Sequence, residues 1–211
     1  MKEVIILGTG PTAAQCPYNV EVFGVNRAYE IANRLDKLFI SDQRLNIHGD
    51  NSHDFEVLKT LDCQIVSLHS FKELKTTRYP YKRIVERFHT NFFTDTICYM
   101  IAYALYKGYD YLRLYGVDMA TRLEYLLEKG GIEFWLGMAM GMGCKIEVSR
   151  GSTVMVPHTQ VPYGFVKKLN MKELDPTGEL RKRQREEAIA NTMSAAIEIP
   201  RTRIKKWPLK K

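Results

Sequence analysis

The sequence contains no apolar run that approaches the roughly 18 consecutive positions a membrane-spanning helix needs. Its four cysteines, Cys16, Cys63, Cys98 and Cys144, include no close pair. That excludes a zinc knuckle and a CxxC redox site and leaves them as small buried hydrophobes. The histidines His48, His53, His69, His89 and His158 lack the H-E-x-x-H spacing of a zinc hydrolase. A G-x-S-x-G nucleophile elbow and a P-loop lysine are also missing, which removes α/β-hydrolase and P-loop ATPase chemistry. Acidic residues are in deficit, 24 against 31 Lys and Arg, for a net charge of +7. Such a surface favours an anionic partner, and nucleotides, nucleic acids and acidic glycans all qualify.

What remains is a chain of 211 residues with 45% hydrophobic and 26% charged positions, an ordinary globular balance. It is long enough for one substantial core. We expect a Rossmann-like nucleotide-binding domain over residues 1–165 and a basic C-terminal helix and tail over 166–211. The excess positive charge gathers there, at Lys167-Lys168, at Arg181-Lys182-Arg183 with Arg185, and in residues 201–211. Met1-Lys2-Glu3 leads straight into a β-branched run rather than a signal-peptide core, so the expected compartment is the cytoplasm.

Short apolar runs bounded by turn residues predict strands at Val4-Ile5-Ile6-Leu7, Glu21-Val22-Phe23-Gly24-Val25, Lys37-Leu38-Phe39-Ile40 and Gln64-Ile65-Val66-Ser67-Leu68. Between the second and third, residues 27–34 read as a short helix. Residues 69–93, rich in aromatics and bases and broken by Tyr79-Pro80-Tyr81, read as an exposed, irregular lid or substrate loop. Ile97, Met100, Ile101, Ala104 and Leu105 then fall at helical spacing, with Thr94 as N-cap and Gly108 as stop. Strands at 111–115 and 145–148 flank a helix over 132–142, and another helix is expected over 179–196. Strand–helix alternation of this kind implies a doubly wound α/β fold, Rossmann-like, with a mostly parallel sheet and helices on both faces.

Ligands collect at the carboxyl ends of strands in such sheets. The turn Gly8-Thr9-Gly10-Pro11-Thr12 sits there, where two glycines let backbone amides approach a phosphate. Gly8, Gly10 and Ala13 match G-x-G-x-x-A, but Pro17 curtails the next helix and the second strand ends in Asn26 instead of an acid. A nicotinamide or flavin cofactor is therefore disfavoured. Asn26 and Asp42 follow the second and third strands; an asparagine can recognise a base or ribose, and an aspartate can take ribose hydroxyls or a magnesium ion. Thr94 and Asp95 open the long helix, where unpaired amides can hold a phosphate or base edge. Asp118 ends a central strand. His48, Asp50, His53 and Asp54 read as a solvated loop, and no metal site is expected from side-chain spacing.

In order, Ile5-Ile6-Leu7-Gly8-Thr9-Gly10-Pro11-Thr12, Val22-Phe23-Gly24-Val25-Asn26, the helix from Thr94, and Leu112-Arg113-Leu114-Tyr115-Gly116-Val117-Asp118 resemble a Rossmann-like superfamily. It contains bacterial lipooligosaccharide sialyltransferases, which use a cytidine-monophosphate sugar, and archaeal 6-hydroxymethylpterin diphosphokinase-like proteins. A second resemblance, closer in length, is to Rossmann-like proteins of bacteriophages, carried by Gly116-Val117-Asp118-Met119, Glu124-Tyr125, Glu133-Phe134-Trp135 and Tyr163-Gly164. The first implies that the 8–12 turn and Asn26 hold the nucleotide and that Thr94 and Asp95 lie near the donor. Thr9 and Asp42 stand where or near where that family has asparagine, and the insertion with its catalytic histidine and tyrosines is missing after Asp118.

Asp118 and Glu133 are then the candidate catalytic acids, with Glu124 and Tyr125 nearby in sequence. The function expected is a nucleotide-sugar-dependent glycosyltransferase with a nucleotide-linked small molecule as donor, magnesium being admissible. Two alternatives are kept. One is a non-catalytic, phage-type module contacting nucleic acid or protein, with Trp207 and the basic tail on nucleic acid. The other is pterin diphosphokinase-like pyrophosphoryl transfer. Self-association into a homo-oligomer is compatible with either.

Overall fold

A computed structural model describes residues 1–41, 55–72, 74–119, 123–156 and Glu186. The chain divides into two compact units, Met1–Gln160 and Val161–Lys211, and everything below concerns the first. Asp42, the loop with His48 and His53, the 179–196 helix and the basic tail lie outside the described residues.

The fold is α/β and Rossmann-like, built on one seven-stranded sheet in which every neighbouring pair is parallel. The strands are β1 (Glu3–Leu7), β2 (Glu21–Val25), β3 (Lys37–Ile40), β4 (Gln64–Ser67), β5 (Thr77–Arg78), β6 (Tyr111–Tyr115) and β7 (Lys145–Val148), ordered β5-β4-β3-β2-β1-β6-β7. Among the described residues of this unit the helices are α1 (Phe55–Thr60), α2 (Tyr81–Phe88), α3 (Thr96–Tyr106) and α4 (Leu123–Gly141). From β1 the chain steps outward to β5, then returns to lay β6 on the other side of β1. The switch point of the sheet therefore lies between β1 and β6.

Alternation along each strand divides its side chains between two layers. Val4 and Ile6 join Phe23, Phe39, Leu112 and Leu114 in a core closed by helices that include α3 and α4, with Trp135, Met100 and Ile101 fully buried. Ile5 and Leu7 face the other way, against Ala13 and Cys16 of a 3-10 turn over Pro11–Gln15. Leu38, Ile40 and Ile65 pack on that same side against Leu58 of α1. Each fully buried Val, Leu or Ile is worth roughly 1.5–3 kcal/mol. Among the described residues no helix is long and apolar enough to cross a membrane.

Four local expectations are corrected. Residues 69–93 are not one exposed loop: among those described, Thr77–Arg78 form β5, Tyr81–Phe88 form α2, and Tyr79 is only 4% exposed. The predicted 27–34 helix is a five-residue 3-10 segment, Asn26–Glu30, distorted at Arg27. The helix expected over 132–142 begins earlier, as α4 spans Leu123–Gly141. Finally, the N-cap of α3 is Asp95, whose side chain accepts from the Cys98 amide at 2.8 Å; the Thr94 hydroxyl donates instead to the Glu128 carbonyl at 2.9 Å.

Candidate functional site at the strand exits

The glycine turn leaves β1 directly over the switch point, and there the amides of Gly8, Gly10 and Thr12 are already engaged. Gly8 N donates to Tyr115 O and Gly10 N to Gly116 O, both at 2.8 Å. Thr12 N donates to Asp118 Oδ2 at 2.8 Å, and Ala13 N to Gly10 O at 3.0 Å. The glycines are required by close packing of two backbones: a Cβ on Gly8 would lie 2.2 Å from Gly116 O, and one on Gly10 would lie 2.5 Å from Asp118 Oδ2.

Thr12 is the centre of this joint. Its buried hydroxyl donates to Asp118 Oδ1 and accepts from Gly116 N at 2.9 Å and from the Ser149 hydroxyl at 2.8 Å. Three strand exits, those of β1, β6 and β7, are thereby tied together. The carboxylate of Asp118 stands where an anion would meet the start of the Pro11–Gln15 turn. Thr9 and Pro11 are exposed.

Asn26 behaves differently. It follows β2, whose last residue paired with β1, Gly24, stands opposite Leu7. Its backbone is left-handed, φ 45°, which is strained for any residue with a side chain, though asparagine tolerates it better than most. Its Oδ1 is buried and has no hydrogen-bond partner among the described residues. An unpaired buried acceptor costs roughly 1–3 kcal/mol, so this residue carries two separate penalties at a strand exit.

Next along the rim, past β3, the Ser41 and Thr96 hydroxyls are hydrogen-bonded at 2.5 Å across 55 residues of sequence. They line a small pocket with Phe39, Ser67, Tyr79 and Tyr99. Its cavity volume of about 10 Å³ is room for about one water, far below the roughly 300–1,000 Å³ usual for small-molecule sites. The Tyr79 hydroxyl donates to Tyr99 O at 2.9 Å, and burial holds its pKa well above the ordinary phenol value. Burial likewise raises Asp95 to about 6, against the lowering effect of its hydrogen bond from Cys98.

Thr94 and Asp95 thus meet at the start of α3. Thr94 braces α3 on α4, since a Cβ on Gly131 would sit 2.0 Å from its Oγ1. Glu133 accepts from the Met155 amide at 2.8 Å and pairs with Lys129 at 3.4 Å. It holds Met155, which has a φ of 60°, after β7. Sequence reasoning missed Ser41, Thr96, Tyr79 and Tyr99, because no motif links a strand-end serine to a helix start so far along the chain. Among the described residues no three His, Cys, Asp or Glu side chains converge to hold a metal. Both Asp118 oxygens are bonded to Thr12, a poor start for a magnesium site.

No protein-family model matches the chain, and no curated protein does. Solved structures do match. The sialyltransferase CstII from Campylobacter jejuni, in complex with the substrate analogue CMP-3FNeuAc, is 18% identical, with 81% of this chain and 92% of that chain covered and a TM-score of 0.50. A point variant of CST-II in complex with CMP is 16% identical, with 80% and 92% covered and a TM-score of 0.50. At that identity the likeness establishes the fold.

Proposed function

We propose that this protein is a nucleotide-sugar-dependent glycosyltransferase that seats its nucleotide across the exits of β1, β2 and β3. The observation that carries the reading is Asn26, with its left-handed backbone and its buried, unpartnered Oδ1. Strain and an orphaned polar atom persist where function compensates for them. An amide oxygen in that position accepts a hydrogen bond from an exocyclic base amine or a ribose hydroxyl. Thr9, at the neighbouring exit of β1, is exposed, and the Ser41–Thr96 hydroxyl pair extends the polar rim. Fold likeness to structures that contain CMP or a CMP-sugar analogue supports a cytidine nucleotide as the first ligand to try.

In this reading Gly8, Gly10, Pro11 and Thr12 shape the floor of the site rather than wrap a phosphate. Asp118 and Glu133 are positioning residues, the first fixing the turn through Thr12 and the second fixing the segment after β7. Asp95 caps α3 and sets the height of Thr96, while Thr94 braces that helix from α4. Asp42, next after Ser41 in the chain, is proposed as a further ribose contact.

Thermal melting against CMP, UMP, AMP, GMP and a CMP-sugar tests the proposal. A ligand at 100 times its Kd adds about 2.7 kcal/mol, or roughly 5–10 °C for a protein of this size. A panel with no shift would overturn it.

A further inference from the structure

Away from the strand exits, residues 69–93 carry six exposed basic side chains, with Glu86 the one exposed carboxylate among the described residues there. Lys72, Lys75, Arg78, Lys82, Arg83 and Arg87 are all exposed. Among the described residues no carboxylate forms an ion pair with any of them. On α2, Ile84 is fully buried while Arg83 and Arg87 stand one turn apart on the solvent side. Like charges at that spacing repel and weaken a helix, and nothing in the fold is gained from the pairing.

From this face a chain of ring contacts leads through the fully buried Trp135 to a pair of exposed rings, the first of them five residues beyond Arg87 in the chain. The guanidinium of Arg87 lies 5.9 Å from the Phe88 ring centroid, and Phe88 packs edge-on against Trp135 at 5.5 Å. Trp135 touches Phe134 at 5.8 Å, and Phe134 meets Phe92 at 5.4 Å. Phe92 and Phe134 remain 47% and 40% exposed. The Trp135 indole N–H is already spent on Phe92 O at 2.8 Å, so the aromatic end is rigid and presents ring surface rather than hydrogen-bonding groups.

We infer that the α2 face and the Phe92–Phe134 pair bind single-stranded nucleic acid, with the arginines on phosphates and the rings under bases. Guanidinium groups recognise phosphate oxygens in bidentate fashion, and fixed, half-exposed rings stack on bases whatever their sequence. An anionic membrane is the weaker fit, because two half-buried rings offer little apolar surface to insert. The inference is independent of the nucleotide-sugar site.

The test is fluorescence anisotropy of a labelled 12-nucleotide single strand with the full-length chain at 50 and 200 mM salt. With three phosphate contacts, binding should weaken roughly 20-fold between the two, from a slope of about −0.7 per contact on logarithmic axes. Arg83→Ala/Arg87→Ala should flatten that dependence, and Arg83→Lys/Arg87→Lys should largely restore it. Phe92→Ala should weaken binding about 10-fold at both salts with the slope kept; Phe134→Ala provides the same reading if the first variant does not fold. Binding that is absent, or unchanged in the double alanine variant, overturns the inference. So does tighter binding to vesicles containing phosphatidylserine that the oligonucleotide fails to displace.

Discussion

Thr12 and Asp118 are joined by two hydrogen bonds, amide to Oδ2 at 2.8 Å and hydroxyl to Oδ1, across 106 residues of sequence. This pair locks the turn after β1 to the exit of β6 and, through Ser149, to the exit of β7. A turn that looks built for phosphate is thus occupied by the protein's own carboxylate.

Asp118→Ala should therefore act first on stability. It strands a part-buried amide and a buried hydroxyl, at a cost of about 1–3 kcal/mol, while Asp118→Asn keeps an acceptor and should cost less. Urea unfolding of the two variants measures the difference. Equal stability of wild type and Asp118→Ala would refute the latch.

Glycine substitutions should separate into two classes. Gly8→Ala drives a Cβ to within 2.2 Å of a backbone oxygen, a clash that side-chain rotation cannot relieve, and should cost several times the ~1 kcal/mol of an ordinary substitution. Gly137→Ala in α4 meets nothing within 4 Å and should stabilise by about 0.5–1 kcal/mol through helix propensity. Melting temperatures of both variants check the contrast.

Asp95 gives the protein a pH signature. Burial raises its folded pKa to about 6, above the ordinary carboxyl value, so between about pH 4 and 6 the folded state binds more protons than the unfolded chain. This group's contribution to stability is therefore full below pH 4, is lost as pH rises towards 6, and is level above. Asp95→Asn, which still caps α3, should flatten that slope and be at least as stable as wild type at pH 7. Denaturation midpoints from pH 4 to 7 decide it.

Much of the fold could be read in the sequence because buried parallel strands are short apolar runs with sharp ends. β2, β3, β6 and β7 fall where their runs begin and stop. β5 gave no such signal, being two exposed residues, Thr77 and Arg78, held by β4. The start of α4 was missed because Gly130 and Gly131 interrupt its pattern, although Gly131 is there to admit Thr94. At the site, Asn26 was legible from its place after a strand. Its left-handed φ and orphaned oxygen were not, since both depend on how three exits pack. The same holds for the Ser41–Thr96 contact, and for the Thr12–Asp118 pair, in which two residues expected to meet a ligand bind each other.

Asn26 is where stability and function should trade most openly. Glycine at this position relieves the left-handed strain and removes the unpaired oxygen, so Asn26→Gly should unfold at higher denaturant than wild type. Isothermal titration of CMP, and of whichever nucleotide gives the largest melting shift, into wild type and Asn26→Gly is the decisive measurement. We predict saturable binding to wild type and at least a tenfold loss in the more stable variant. Equal affinity for the two proteins, or no binding to wild type, would contradict a nucleotide seated on Asn26.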